Sequence, residues 1–353
     1  MKILAIDTSC DDTCVALLKI KNRKLEILSN LVSSQVKLHA KYGGVYPSLA
    51  KREHQKNLPI IFKKALRRLK KKQFDLIGVT IGPGLEPCLW QGVNFAKDLA
   101  KKLGKPLVLI NHIEAHILAN WLSDSMSHIS DSKCLFPAVS LVVSGGHTQL
   151  ILMRGVGKYK LLGETRDDAA GECFDKVAKI LGLSYPGGPV IDAEAAKYRS
   201  RLKDDCRIPK YRIGLPRPMI YQKNYDFSFS GLKTAVLYDF RSRSLKIRKS
   251  KEYIQEMAAE AQQAIIDVLI SKTVKVAKKF RSKTIILGGG VSASQELRNR
   301  FKSKCLTSGI KLLVPSKNLS TDNAVMVAIT SYCHRKTATK NLKRIKADAN
   351  LRI

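Results

Sequence analysis

The feature that most restricts this chain is a unit it carries twice: an apolar strand, a polar loop and a second apolar strand. Ile3-Leu4-Ala5-Ile6 runs into Asp7-Thr8-Ser9-Cys10-Asp11-Asp12 and leaves through Val15-Ala16-Leu17-Leu18. Val139-Ser140-Leu141-Val142-Val143 runs into Ser144-Gly145-Gly146-His147-Thr148 and leaves through Gln149-Leu150-Ile151-Leu152. A polar loop held between two buried strands faces a ligand, and its recurrence predicts a duplicated architecture. A third loop, Gly288-Gly289-Gly290, follows the strand Thr284-Ile285-Ile286-Leu287 and precedes a helical stretch from Gln295 to Phe301. Strand, glycines and helix suit a phosphate, because glycine lets backbone approach the ligand and helix N-termini attract anions.

Between these units helical and strand patterns alternate, as in Leu58 to Leu69 followed by Leu76-Ile77-Gly78-Val79-Thr80. That alternation predicts α/β layers. At 353 residues, 44% of them apolar, the chain can bury two cores without staples. Its opening apolar run is too short for a signal peptide, and no stretch reaches the roughly 18 apolar residues of a membrane span. A cytoplasmic protein without membrane association is therefore expected. The eight cysteines include no C-x-x-C pair, so neither a zinc ribbon nor a disulfide framework is suggested.

Charge narrows the partners. The 63 Lys and Arg against 29 Asp and Glu give +34, a field that concentrates polyanions. Basic stretches lie at Lys56, Lys63, Lys64, Arg67, Arg68 and Lys70 to Lys72, at Arg241 to Lys251, and at Arg335 to Lys346. Each alone reads as a solvated face; together they predict an RNA-binding surface.

His112 and His116 are four apart and would share one helix face, at a spacing that suits a metal. The spacing alone leaves open a pair of core or surface histidines. The pattern is H-x-E-x-H, so Glu114 does not hold the place of a zincin's base, and a metallopeptidase is disfavoured.

Asp7 to Asp12, Gly82-Pro83-Gly84-Leu85, His112 with His116, Ser144 to Leu150, Asp167 to Lys176, Tyr185-Pro186-Gly187-Gly188-Pro189, Phe227 to Thr234, and Thr321-Asp322-Asn323-Ala324 follow one another along the chain. In that order they resemble the family of tRNA N6-adenosine threonylcarbamoyltransferases that includes TsaD, on its bacterial and organellar side. The resemblance implies an α/β chain of the actin/Hsp70/sugar-kinase fold, two duplicated lobes with a ligand cleft between them. The lobes are expected at residues 1–120, with a basic helical insertion at about 33–72 and the metal histidines, and at 121–353, with the adenylate loops and the metal aspartate.

The same resemblance implies one divalent ion per subunit, Fe(2+) or Zn(2+), on His112, His116 and Asp322. It places adenylate contacts on Val142, Val143, Ser144, Gly145, Gly146, Asp175, Gly188, Asp192 and Ser294. Asp11 and Asp12 are the expected proton acceptors. At position 294 most members carry asparagine, and this chain has serine. The implied reaction moves a threonylcarbamoyl group from threonylcarbamoyl-AMP to adenosine 37 of tRNA. The implied partners are tRNA, a threonylcarbamoyl-AMP synthase upstream, a paralogous non-catalytic protein and a small ATPase, with a homodimer also allowed. A zinc glycopeptidase, an ATP-driven chaperone or sugar kinase, and an idle scaffold are the competing readings; the His/His/Asp set favours the transferase over the last two.

Overall fold

In the computed structural model residues 1–22, 24–67, 73–122, 135–205 and 209–353 are described, with only the backbone of 203–205. The chain divides into two compact units, Met1–Cys134 with Pro315–Ile353, and Leu135–Val314.

The first unit is built on β1 (Lys2–Asp7), β2 (Asp12–Lys21), β3 (Lys24–Ser34), β4 (Leu76–Gly82) and β5 (Leu107–Asn111), in the order β3-β2-β1-β4-β5. β1 is antiparallel to β2 and parallel to β4, so it runs through the middle of the sheet. Its apolar residues do not alternate with polar ones because both faces are covered. On one face lie α2 (Pro47–Leu66) and α3 (Glu86–Leu103), which bring Leu58, Ile61, Val93 and Ala96 against Leu4, Ile6, Val15 and Val79. The short α1 (Val36–His39) leads into α2. The helix expected from Leu58 begins earlier, at Pro47, where proline's missing N–H is harmless at the first turn. Lys63, Lys64 and Arg67 are exposed on it, while Arg68, Leu69 and Lys70 to Lys72 lie outside the described residues.

β5 ends in α4 (His112–Leu118), and the chain returns to this unit as α11 (Ala324–Cys333). α11 is buried from Ala324 to Ser331, as a helix apolar on all sides must be. It presses on β4 at Gly78, where any side chain would strike Ser331 Oγ. Thr339, just beyond it, bridges Leu107 of β5. The expected division at residue 120 is thereby corrected: Pro315–Ile353, with Asp322, belongs to the first unit.

The second unit repeats the design. β6 (Ala138–Val143), β7 (Thr148–Gly155), β8 (Lys158–Glu164), β9 (Thr284–Gly288) and β10 (Lys311–Leu313) follow the order β10-β9-β6-β7-β8. β6 is antiparallel to β7 and parallel to β9, the pairing of β1 with β2 and β4. The expected duplication is thus observed strand for strand. The helices are α5 (Ala170–Ile180), α6 (Gly187–Asp205), α7 (Ser230–Ser242), α8 (Leu245–Arg248), α9 (Lys251–Lys279) and α10 (Gln295–Thr307). α5 buries Ala170, Cys173, Phe174, Val177 and Ala178, one stripe at helical spacing. α9 contributes Ile265, Val268 and Leu269 to the core around Val139 and Leu141. Among the described residues no helix is long and apolar enough to cross a membrane.

Candidate metal centre and adenylate loops

His112 opens α4 because Asn111 caps it, its side-chain oxygen accepting from Ile113 N at 2.9 Å and Glu114 N at 3.1 Å. One turn later His116 projects beside His112, the two rings edge to face at 4.6 Å. Asp322 arrives from the residues before α11, where Asn323 caps the helix and donates to the carbonyls of Leu319 and Thr321. One ligand atom from each of the three residues lies within 4.8 Å of the others. The nearest approaches are 3.2 Å from His116 Nε2 and 3.6 Å from His112 Nε2 to Asp322 Oδ1.

A further carboxylate completes the group. His112 Nδ1 lies 3.2 Å from Asp7 Oδ2, which fixes the ring and leaves Nε2 to face Asp322. Burial opposes charge on His112, but Asp322 and Asp7 outweigh it and push the imidazole up to about 9. Burial, aided by the neighbouring His112, pushes His116 down. One proton therefore sits on His112 between two carboxylates, where a cation would displace it. His116 Nδ1 is buried without a hydrogen bond, and its Nε2 faces Asp322 Oδ1, an arrangement that suits a metal ligand. Two imidazoles and a carboxylate with orienting Asp7 fit a divalent ion. As expected, Glu114 turns elsewhere, its carboxylate 2.7 Å from His334 Nε2.

Asp11 lies in the β1–β2 turn and Asp12 opens β2. Burial and then the charge of Asp322 raise Asp11. Burial pushes Asp12 up to about 7, with Ser34 pulling the other way and Asp322, Asp11 and Asp7 adding to the rise. The turn is pinned by buried His54 of α2, which bonds Thr13 Oγ1 at 2.8 Å and Cys10 O at 2.9 Å. Neither Asp7 nor His54 was singled out by sequence reasoning. Asp7 belonged to the first polar loop, a signal that could have found it; His54 stood in a helix and gave none.

In the second unit Val142 and Val143 end β6, and Ser144 to Gly146 form the turn into β7. Ser144 closes that turn, N–H donating to His147 O at 2.8 Å and Oγ accepting from His147 N at 3.1 Å. Gly145 and Gly146 are exposed, and a side chain on either would meet nothing in the protein. Their bareness is unused by packing and leaves room for a ligand. Gly171 and Gly289 differ: side chains there would strike Ser144 O and Val143 O, so α5 and the glycine loop are drawn onto the turn.

Asp175 Oδ1 accepts from Gly187 N at 2.7 Å, next to open Gly188. Asp192 Oδ1 accepts from Gln262 Nε2 at 2.5 Å and from Ser294 Oγ at 3.0 Å. Ser294 also caps α10. Asp192 lines a hollow of about 350 Å³ with Arg199 and Asn299. His112, His116, Asp322, Asp11 and Asp12 thus lie in the first unit, and Val142 to Gly146, Asp175, Gly188, Asp192 and Ser294 lie in the second, where Asp192 and Ser294 touch.

A family model described as TsaD, tRNA N6-adenosine threonylcarbamoyltransferase, matches residues 26–329. The chain belongs to that family. A tRNA N6-adenosine threonylcarbamoyltransferase of Thermosipho africanus is 43% identical over 355 residues, the full length of both chains. One of Thermodesulfovibrio yellowstonii is 46% identical over 335 residues, 94% of each. Among solved structures, the activator of the 2-hydroxyisocaproyl-CoA dehydratase from Clostridium difficile with bound ADPNP covers 98% of this chain and 100% of its own at a TM-score of 0.52 and 12% identity. That likeness is one of fold. The expected actin/Hsp70/sugar-kinase class is the observed one, and the TsaD family's transferases share this architecture.

Proposed function

We propose that this chain transfers a threonylcarbamoyl group from threonylcarbamoyl-AMP to N6 of adenosine 37 in tRNAs that read codons beginning with adenine, releasing AMP, in a metal-dependent reaction. The observation that carries the reading is the group of buried His112 and His116 with half-buried Asp322, in a member of a threonylcarbamoyltransferase family. Fe(2+) or Zn(2+) on these three residues supplies Lewis-acid polarisation of substrate oxygens.

The remaining roles belong to the chain itself. Backbone N–H groups of Gly145 and Gly146 bind the phosphate on the turn that Ser144 closes, and Asp175 and Asp192 accept from ribose hydroxyls, with Val142, Val143, Gly188 and Ser294 shaping the nucleotide's surroundings. A new bond joins N6 to the carbamoyl carbon, the anhydride C–O bond breaks, and AMP takes the bonding electrons. Asp12, with its near-neutral carboxyl, accepts the N6 proton, and Asp11 raises its basicity. An exocyclic aromatic amine is a weak nucleophile, so positioning and electrostatics supply most of the rate.

Such an enzyme works in the cytoplasm, downstream of a threonylcarbamoyl-AMP synthase and beside a paralogous non-catalytic partner and a small ATPase, with a homodimer as the other assembly. The test is reconstitution with tRNA and threonylcarbamoyl-AMP. Modified nucleoside and AMP should appear one for one, and AMP without modified nucleoside would contradict the transfer.

A further inference from the structure

The basic stretch at residues 238–251 takes no part in either site. It holds Arg241, Arg243, Lys246, Arg248, Lys249 and Lys251 against one acid, Asp239. That acid is already engaged by Arg243 at 2.8 Å and by the Tyr253 hydroxyl at 2.8 Å. Lys246 and Lys249 are exposed and have no acidic partner among the described residues. Two of these cations, Arg248 and Lys249, line a hollow of about 420 Å³ in the second unit together with Lys179 and the apolar Leu181, Phe240 and Ile254. That volume is within the range of ligand pockets, on the order of 300–1,000 Å³. Leu245, also in its wall, is 69% exposed.

The wall is held in place before any ligand arrives. Arg248 lies over the Phe240 ring at 5.5 Å, and its guanidinium donates to the carbonyls of Arg243 and Arg241. An apolar floor with an arginine-backed aromatic and a lysine rim suits a planar base with phosphates on either side. A free inorganic anion would leave the floor unused, and an apolar peptide would leave the rim unpaired.

Position supports the same occupant. The N-terminal end of α5 meets the Ser144 turn, Gly171 N donating to Ser144 O at 3.2 Å, while Lys179 and Ile180 at its other end line the hollow. An eleven-residue helix spans roughly 16 Å, a distance of a few nucleotides. We propose that this hollow binds an unpaired nucleotide of the RNA substrate, a few nucleotides from the one that is modified, with Lys179, Arg248 and Lys249 taking the flanking phosphates. The inference rests on the tRNA reading above and adds the place where the RNA is gripped.

The experiment measures tRNA affinity against salt for the wild type, for Lys179→Glu with Lys249→Glu, for Leu245→Ser, and for a control with Lys101→Glu and Lys102→Glu at the end of α3. The rim variant should lose roughly tenfold or more in affinity, and its slope of log affinity against log salt should fall by about two phosphates' worth. Leu245→Ser should lose a few-fold with the slope unchanged. Thermal midpoints, AMP affinity and metal content should match the wild type in every case. Wild-type affinity and slope in the rim variant, or an equal loss in the control, would overturn the site. So would intact tRNA binding with loss of a protein partner, which would make the hollow a protein contact. If the wild type modifies tRNA while the rim variant equals it, this inference alone falls; if the wild type modifies no tRNA, the proposed function falls instead.

Discussion

The turns β1–β2 and β6–β7 occupy the same place in two copies of one sheet, yet they have opposite chemistry. The first is acidic and enclosed: Asp7 is buried against His112, and Asp12 is held up to about 7 by burial. The second carries no charged group from Ser144 to Gly146 and shows bare backbone. Enclosed carboxylates favour a cation or a proton, and open amides favour an anion. The same place in a duplicated scaffold thus presents opposite chemistry. The predictions below separate the two turns.

The largest effect is expected in the group that faces the enclosed turn. His112→Ala, His116→Ala or Asp322→Ala should each remove bound metal, weakening affinity by roughly a hundredfold or more, because two protein ligands replace three. Metal analysis of the purified variants checks this, and full stoichiometric metal in all three would remove the site. AMP affinity of these variants reports whether the open turn works alone.

The same group should couple metal to protons. His112 is protonated below about 9 without metal and must lose that proton to ligate. Apparent affinity should rise about tenfold per pH unit up to that value, so roughly a hundredfold from pH 6 to pH 8. Chelator competition at several pH values measures it; a flat profile would mean that the proton is not displaced.

At the open turn the effect is smaller. Gly145→Val meets no protein atom, so stability should stay within about 0.5 kcal/mol, while AMP affinity falls roughly tenfold. Gly171→Val, which strikes Ser144 O, should instead lower the thermal midpoint. Calorimetry and thermal denaturation on both variants distinguish ligand room from packing room.

The smallest shift is expected at position 294. Ser294 spends its hydroxyl on Asp192 and on capping α10. Asparagine can cap equally well and offers both a donor and an acceptor to the nucleotide, so Ser294→Asn should tighten AMP binding by a few-fold up to about tenfold with turnover unchanged. Unchanged or weaker binding would withdraw residue 294 from the nucleotide's surroundings.

Much of this was legible in the sequence, for reasons that differ by residue. Both turns announce themselves because a polar loop between apolar strands is conspicuous, and His112 with His116 are one helical turn apart. Asp322 was reachable only through the family resemblance, since nothing local ties it to residues so distant along the chain. The return of Pro315–Ile353 to the first unit was missed because α11 is apolar on every side and would cover either sheet. Gly78, far from α11 along the chain, leaves on β4 the room that Ser331 fills. The pairing of Glu114 with His334 and the pinning of the first turn by His54 are tertiary contacts with no periodicity to betray them.

The most direct test replaces the wild-type chain in cells by Asp322→Ala and quantifies tRNA nucleosides by mass spectrometry. Threonylcarbamoyladenosine should fall to the level found when the protein is absent, with other modified nucleosides unchanged. An unaltered amount of threonylcarbamoyladenosine in cells that hold only the aspartate variant would contradict a metal-dependent transferase centred on His112, His116 and Asp322.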